Sequence, residues 1–426
     1  MTAGLILIIT LLVLMALGVP VFFCITLSTA LMFLATGLRS LTTIAQKAVT
    51  GMDSFVLLAV PLFTFAGYLM ESGGLSRRLV NWVEKLFGRV TGAAGTITIV
   101  CCAIFAALTG SGPATVAAIG AIMFPALMRA GYKQSTAAGM LAAGGALGPI
   151  IPPSVGMIVY GSTMNVSIPD MFLGGIVPGV LIAIVFCIMN VFIAKKEGVQ
   201  KSDVHYSAKE LGKATLEALP VLFMPVLVLG GIYGGIFTPT EAATVCVVYS
   251  LILSLCYREL TFKKLWATIE RTIVASATIA LVIGISSVFG LALATANIPN
   301  MIAEALIPVL KNKTVFMLVL MIFLFLVGTL MEMLATIVII APILCPIGIA
   351  LGCDPLHLGV IFVIALVIGF ITPPFGVNLF TAVSTTNTKY ADVVKGAVPF
   401  IILGLICVLV FAFVPQIILF IPNLVR

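Results

Sequence analysis

Residues 148–154 read Gly-Pro-Ile-Ile-Pro-Pro-Ser, and 221 positions later residues 369–375 read Gly-Phe-Ile-Thr-Pro-Pro-Phe. Outward from these two stretches the register holds without a gap. Ala114-Thr115, Pro125, Gly131, Gly175 and Pro178 align with Ala335-Thr336, Pro346, Gly352, Gly396 and Pro399. Both copies lie in long apolar sequence. Two matching membrane segments broken by Gly and Pro are the pattern of a secondary carrier whose binding site lies between its halves.

The composition supports that reading. The chain has 426 residues, 62% of them hydrophobic and 9% charged, against about 25% charged in a soluble domain. Several apolar runs exceed the roughly 20 residues needed to cross a bilayer. The run from Gly4 to Gly37 is too long for a signal peptide and lacks a basic leader. Nine cysteines are scattered through apolar segments without a C-x-x-C pair, which reads as small buried hydrophobes. A net charge of +7 does not imply nucleic acid here, because the basic residues sit in short loops. No phosphate-binding loop or catalytic triad motif occurs, so neither ATP hydrolysis nor enzymatic activity is expected.

The expected fold is an all-α polytopic membrane protein with inverted repeats, two re-entrant helical hairpins and two broken helices. Residues 1–91 hold scaffold helices, one or two spans in 4–37 and a crossing at 54–71, followed by an amphipathic arm at 75–90. In that arm Arg77, Arg78, Glu84, Lys85 and Arg89 face away from Leu79, Val83, Leu86 and Phe87. Residues 92–171 hold the first hairpin, turning at Gly110-Ser111-Gly112-Pro113, and the first broken helix. Residues 172–313 hold further scaffold helices: they return, pass through a polar linker at 195–213 that includes Lys201, Asp203 and His205, and form two crossings about the turn 234–241. A second basic arm at 258–271 and a span at 272–296 follow. Residues 314–388 form the second hairpin, turning near 329–334, and the second broken helix. Residues 389–426 form a C-terminal helix.

Loop charge gives the orientation. If the linker faces inward, 17 of the 22 Lys and Arg fall inside and Arg39, Lys47, Lys311, Lys313 and Arg426 outside, as the positive-inside rule requires. The first hairpin then enters from inside and the second from outside.

A broken helix in lipid frees backbone groups that must find partners, so it persists where it lines a cavity or holds an ion. Oxygen donors cluster near the four breaks: Thr109, Ser111, Thr115 and Ser154 in the first repeat, and Thr329, Glu332, Thr336, Thr372 and Asn378 in the second. Hard, weakly charged oxygen sets suit Na⁺. Thr115 and Thr336 occupy matching positions just after each tip, although a membrane Ser or Thr can equally bond its own helix. Glu332 aligns with Ser111; a carboxylate inside apolar sequence is a functional candidate. Glu241, at an outer turn, reads as structural or gating. No Lys or Arg occurs in 90–128, 134–194, 272–310 or 314–388, so an anion in these segments must use N–H groups, hydroxyls and co-bound cations.

Four motifs in order, Leu108 to Gly120, Gly148 to Ser154, Phe237-Thr-Pro-Thr-Glu-Ala-Ala and Gly369 to Asn378, resemble the large membrane subunit of TRAP (tripartite ATP-independent periplasmic) transporters. The similarity runs over nearly the whole chain. It implies an elevator-type, Na⁺-driven importer of carboxylates in the bacterial inner membrane. It also implies two partners, a small four-helix membrane subunit, here a separate polypeptide, and a periplasmic substrate-binding protein. It implies Na⁺ sites at Gly110, Ser111, Gly112, Thr115, Gly148, Ile151 and Pro153, and at Thr329, Met331, Met333, Thr336, Gly369, Thr372 and Pro374. Substrate would meet Ser111, Pro113, Ser154, Glu332 and Asn378. A sialic acid is preferred over a C4-dicarboxylate on overall resemblance, with no motif separating them. A stand-alone carrier without a binding protein and a channel-type subunit remain alternatives.

Overall fold

The computed structural model describes residues 2–19, 21–88, 91–199, 206–298, 301 and 312–425. Arg89, the linker residues Lys201, Asp203 and His205, Lys311 and Arg426 lie outside the described residues. Helices account for every regular element among those described. The first are α1 (Thr2–Ala16), α2 (Val21–Thr36), α3 (Thr42–Met52), α4 (Ala59–Ser72) and α5 (Leu75–Phe87). The apolar run 4–37 is therefore two short helices, packed on each other. Helix α3 meets the following crossing at a 66° bend. Helix α5 is the expected arm, with Leu75, Leu79 and Val83 buried, while Leu86 stays exposed.

The first repeat comprises α6 (Ala93–Thr109), α7 (Gly112–Arg129), α8 (Gln134–Gly145) and α9 (Val155–Met164). The second comprises α14 (Lys313–Leu330), α15 (Met333–Ala350), α16 (Pro355–Gly369) and α17 (Val377–Thr386). Shifting α7 by 221 residues reproduces the bounds of α15, and the other three pairs agree at their starts within two residues. Both breaks contain a cis Pro–Pro bond, Pro152-Pro153 and Pro373-Pro374. Between the repeats run α10 (Ile168–Glu197), α11 (Ala208–Tyr233), α12 (Pro239–Cys256) and α13 (Phe262–Thr295); α18 (Tyr390–Phe413) and α19 (Gln416–Val425) end the described chain.

Two expectations change. The arm at 258–271 and the span at 272–296 are not separate: α13 is one 34-residue helix, about 51 Å long at 1.5 Å per residue. It crosses the apolar layer and still projects a basic end beyond it, because nothing between Thr261 and Ala296 breaks it. The C-terminal segment is two helices, since Pro415 has no N–H to continue the ladder and Val414 leaves the helical region.

Helices α4 and α5 pack on α6, and α13 packs on α15. Helix α4 packs on α12 and α13, α11 joins α12 and α5, and α2 and α3 lie against α13. Helices α6–α9 and α14–α17 pack with α18 and with α10, which touches α6, α9, α16, α18 and α19. The outward faces of α10 and α11 carry exposed Ile184, Ile188, Phe192, Leu216, Phe223 and Val226; lipid is the solvent that makes such faces stable.

Candidate functional site at the helix breaks

The two hairpin tips reverse the chain with different backbone conformations and different chemistry. At the first, Gly110 takes a left-handed conformation (φ 62°), Ser111 is extended, and Pro113 sits in the first turn of α7. Glycine fits because a Cβ there would be strained. At the second tip no glycine is needed. Met331 and Glu332 are extended, and the Glu332 carboxylate caps α15, Oε2 accepting from the N–H groups of Leu334 (2.8 Å) and Ala335 (3.1 Å). A carboxylate is favoured at this end of a helix. Beyond each tip the matched threonines make the same bond: Thr115 donates to the Ser111 carbonyl (2.8 Å) and Thr336 to that of Glu332 (2.9 Å).

Each tip docks against the break of its own repeat. A Cβ on Gly148 would stand 2.8 Å from the Ser111 carbonyl oxygen, and one on Gly110 would stand 2.7 Å from that of Pro153. In the second repeat Gly369 presses on Gly328, one turn before the tip. The repeats also interlock, since Met333 packs at Gly156 of α9. Asn378 of α17 is fully buried and crosses into the first repeat, donating from Nδ2 to the Ala142 carbonyl (3.3 Å). Its Oδ1 has no hydrogen-bond partner and faces Gly112. A buried amide oxygen without a partner is costly and suits a cation.

All four breaks contribute to one cavity of about 340 Å³. Gly110 to Ala114 and Glu332 to Leu334 supply the tips, and Pro149, Phe370 and Val377 the breaks. The opposite wall comes from helices outside the repeats: Thr64, Gly67 and Tyr68 of α4, and Ala275, Thr278, Ile279 and Val282 of α13. These wall residues are not among those expected from the sequence. A polar stripe, Thr64, Tyr68 and Glu71, within the crossing at 54–71 is the available signal.

Ser154 caps α9, accepting from Met157 N–H (3.2 Å) and donating to the Pro149 carbonyl. Thr329 and Thr372 are buried and bond their own helices at Leu326 and Ile368. Ile151 turns its side chain to Gly179 of α10 and does not line the cavity. The Pro374 carbonyl accepts from the Tyr390 hydroxyl (2.7 Å), and Met331 is half-buried against the core. Glu241 closes a capping box with Thr238 at the start of α12, its oxygen accepting from Thr238 N–H (2.8 Å).

Residues 8–417 match the family described as tripartite ATP-independent periplasmic transporter, DctM component. The isethionate TRAP transporter permease protein DctMQ of Oleidesulfovibrio alaskensis is 40% identical over 95% of this chain, which spans 64% of that protein. The sialic acid TRAP transporter large permease protein SiaM of Vibrio cholerae is 34% identical over 96% of this chain and 95% of its own length. The C4-dicarboxylate TRAP transporter large permease protein DctM of Pseudomonas aeruginosa is 35% identical over 93% and 92%. Among solved structures, the YdaH transporter of Alcanivorax borkumensis shares the fold, with a TM-score of 0.63 at 13% identity over 88% of each chain.

Proposed function

Because the chain belongs to the DctM component family of tripartite ATP-independent periplasmic transporters, we propose that it couples the entry of Na⁺ to the import of an organic acid. It is a large TRAP permease and a multi-pass protein of the bacterial inner membrane. Its relatives are permeases, not enzymes. The observation that carries the coupling is the meeting of four helix breaks at one cavity, beside the unpartnered Oδ1 of Asn378. Backbone carbonyls, hydroxyls, an amide oxygen and the Glu332 carboxylate make a set of hard oxygen donors, which favours Na⁺. Na⁺ bound there supplies positive charge that no Lys or Arg lining the cavity provides. Inward movement of each net positive charge gains about 2.3 kcal/mol per 100 mV.

The moving body would be α6–α9 with α14–α17, joined by α10, α18 and α19, which the sequence places outside it but which pack on it, and the scaffold would be α2–α5 with α11–α13. The cavity lies on the seam between them, so sliding one body past the other would carry bound acid across. The small four-helix membrane subunit and a periplasmic binding protein complete the assembly. A sialic acid remains the first substrate to test, with a C4-dicarboxylate and isethionate beside it, since relatives carry those names.

The test is uptake of radiolabelled N-acetylneuraminate, succinate and isethionate into proteoliposomes holding both membrane subunits, with loaded binding protein outside. Saturable uptake of one acid that collapses when external Na⁺ is replaced by K⁺ is expected. Uptake indifferent to Na⁺, or linear in substrate, overturns the proposal.

A further inference from the structure

The cavity has no basic side chain in its lining, yet one lies a single helical turn beyond it. On α13 the cavity-lining residues Ala275, Thr278, Ile279 and Val282 form one stripe. Residues spaced three or four apart share a helix face, so Arg271, four before Ala275, continues that stripe toward the helix's basic end. On α4 the lining residues Thr64, Gly67 and Tyr68 lead in the same way to Glu71. The two extensions meet. Arg271 Nη1 lies 3.4 Å from Glu71 Oε1, and the guanidinium sits 4.6 Å from the centre of the Tyr68 ring. Next to them Ser72 and Thr268 share a hydrogen bond of 2.8 Å, which pins α4 to α13 at this depth.

The pairing is loose. Arg271 has half its side-chain surface exposed, while Glu71 Oε2 is buried without a partner. A planar guanidinium with five donors binds a carboxylate or sulfonate through two parallel bonds, and here it spends one contact on Glu71. By loop charge this end of α4 and α13 faces the cytoplasm.

We propose that Arg271 is an exit site for the anionic group of the substrate, held in reserve by Glu71 and Tyr68 at the cytoplasmic end of the cavity. As the acid leaves the hairpin tips for the cytoplasm, its anionic oxygens replace Glu71 on the guanidinium, and Glu71 swings to water. The site stands on the scaffold, so it meets substrate only at the inner end of the path. This inference rests on the organic-acid reading above.

The experiment uses the complete transporter with Arg271→Gln, Arg271→Lys and Glu71→Gln. Cytoplasmic-side affinity is read from exchange of internal substrate in proteoliposomes. In parallel, the acid-dependent rise in unfolding temperature of the detergent-solubilised complex is measured, which needs no ion coupling. Losing a charge-assisted bond changes affinity by roughly ten- to hundredfold. Arg271→Gln should therefore raise the internal KM at least tenfold and reduce the thermal stabilisation, leaving the external KM within twofold. Arg271→Lys should restore part of it, and Glu71→Gln should tighten internal binding. An internal KM within twofold of the unsubstituted protein, or an equal rise on both sides, sinks the proposal. Absence of Na⁺-dependent uptake with Arg271-dependent stabilisation intact would instead remove the coupling reading and leave the exit site standing.

Discussion

Asn378 stands directly behind Gly112: a Cβ on that glycine would lie 2.7 Å from the Asn378 Oδ1 and 3.0 Å from the Gly145 carbonyl oxygen. One residue belongs to the second repeat and the other to the tip of the first hairpin. The glycine is thus what lets the two repeats share a donor cluster. Gly112→Ala must push the tip or the amide by several tenths of an ångström. Uptake with this variant should fall at least tenfold, with the yield of folded protein retained. Normal uptake with normal Na⁺ dependence would dissociate this contact from function.

Thr115 and Thr336 each tie down the carbonyl of the tip residue four positions earlier. Thr115→Val and Thr336→Val remove a hydroxyl and one of the two bonds each tip carbonyl accepts, the other coming from the backbone N–H of the same residue, each losing a hydrogen bond of about 1 kcal/mol. The Na⁺ concentration for half-maximal uptake should rise about fivefold in each variant, and Ser111→Ala should act in the same direction. Na⁺ titrations that superimpose on the unsubstituted protein in all three would refute the ion-site assignment.

Glu332 caps α15 and carries a carboxylate charge, and substitution can separate the two. Glu332→Gln preserves an oxygen acceptor for the Leu334 and Ala335 N–H groups. Glu332→Ala exposes both and should lower stability by about 1 kcal/mol. If the charge also serves transport, uptake by Glu332→Gln falls while its unfolding temperature stays near that of the unsubstituted protein. Full uptake by Glu332→Gln would assign the residue to capping alone.

The open end of the first hairpin is closed by a buried network. Tyr132 donates to Asn190 Oδ1 (2.8 Å), and Asn190 donates from Nδ2 to the Gly92 carbonyl (2.9 Å) and to Thr96 (3.1 Å). Below it, Glu197 accepts from Thr136 (2.6 Å) and from Lys133 N–H (3.0 Å). Together these fasten α10 to the start of α6, to the turn between α7 and α8, and to α8. Asn190→Leu leaves buried partners unsatisfied, a loss of roughly 1–3 kcal/mol, and should lower the unfolding temperature clearly. An unchanged midpoint would mean that α10 is not fastened this way.

The breaks are legible in the chain itself because Gly and Pro act locally. Gly110-Ser111-Gly112-Pro113, Pro152-Pro153 and Pro373-Pro374 cluster at the interruptions, whereas single prolines such as Pro220 and Pro346 are carried inside helices, so the clustering and the shared register mark the breaks. Helix ends are less legible. The charges of 258–271 suggest an interfacial arm separate from the span that follows, whereas a helix continues through a change of solvent if its backbone ladder is intact.

By itself the sequence determined an all-helical membrane chain, its two repeats, their opposed orientation and the four interruptions. All of these follow from hydropathy, loop charge and backbone chemistry, which need no distant partner. Tertiary structure alone decided which oxygens meet. Asn378 has Met157 as its repeat counterpart, so no symmetry foretold its reach to Gly112, and nothing in α4 or α13 announced that Glu71 and Arg271 would face each other. Such meetings depend on the packing of segments some 200 residues apart, and only the folded chain brings them within hydrogen-bonding range.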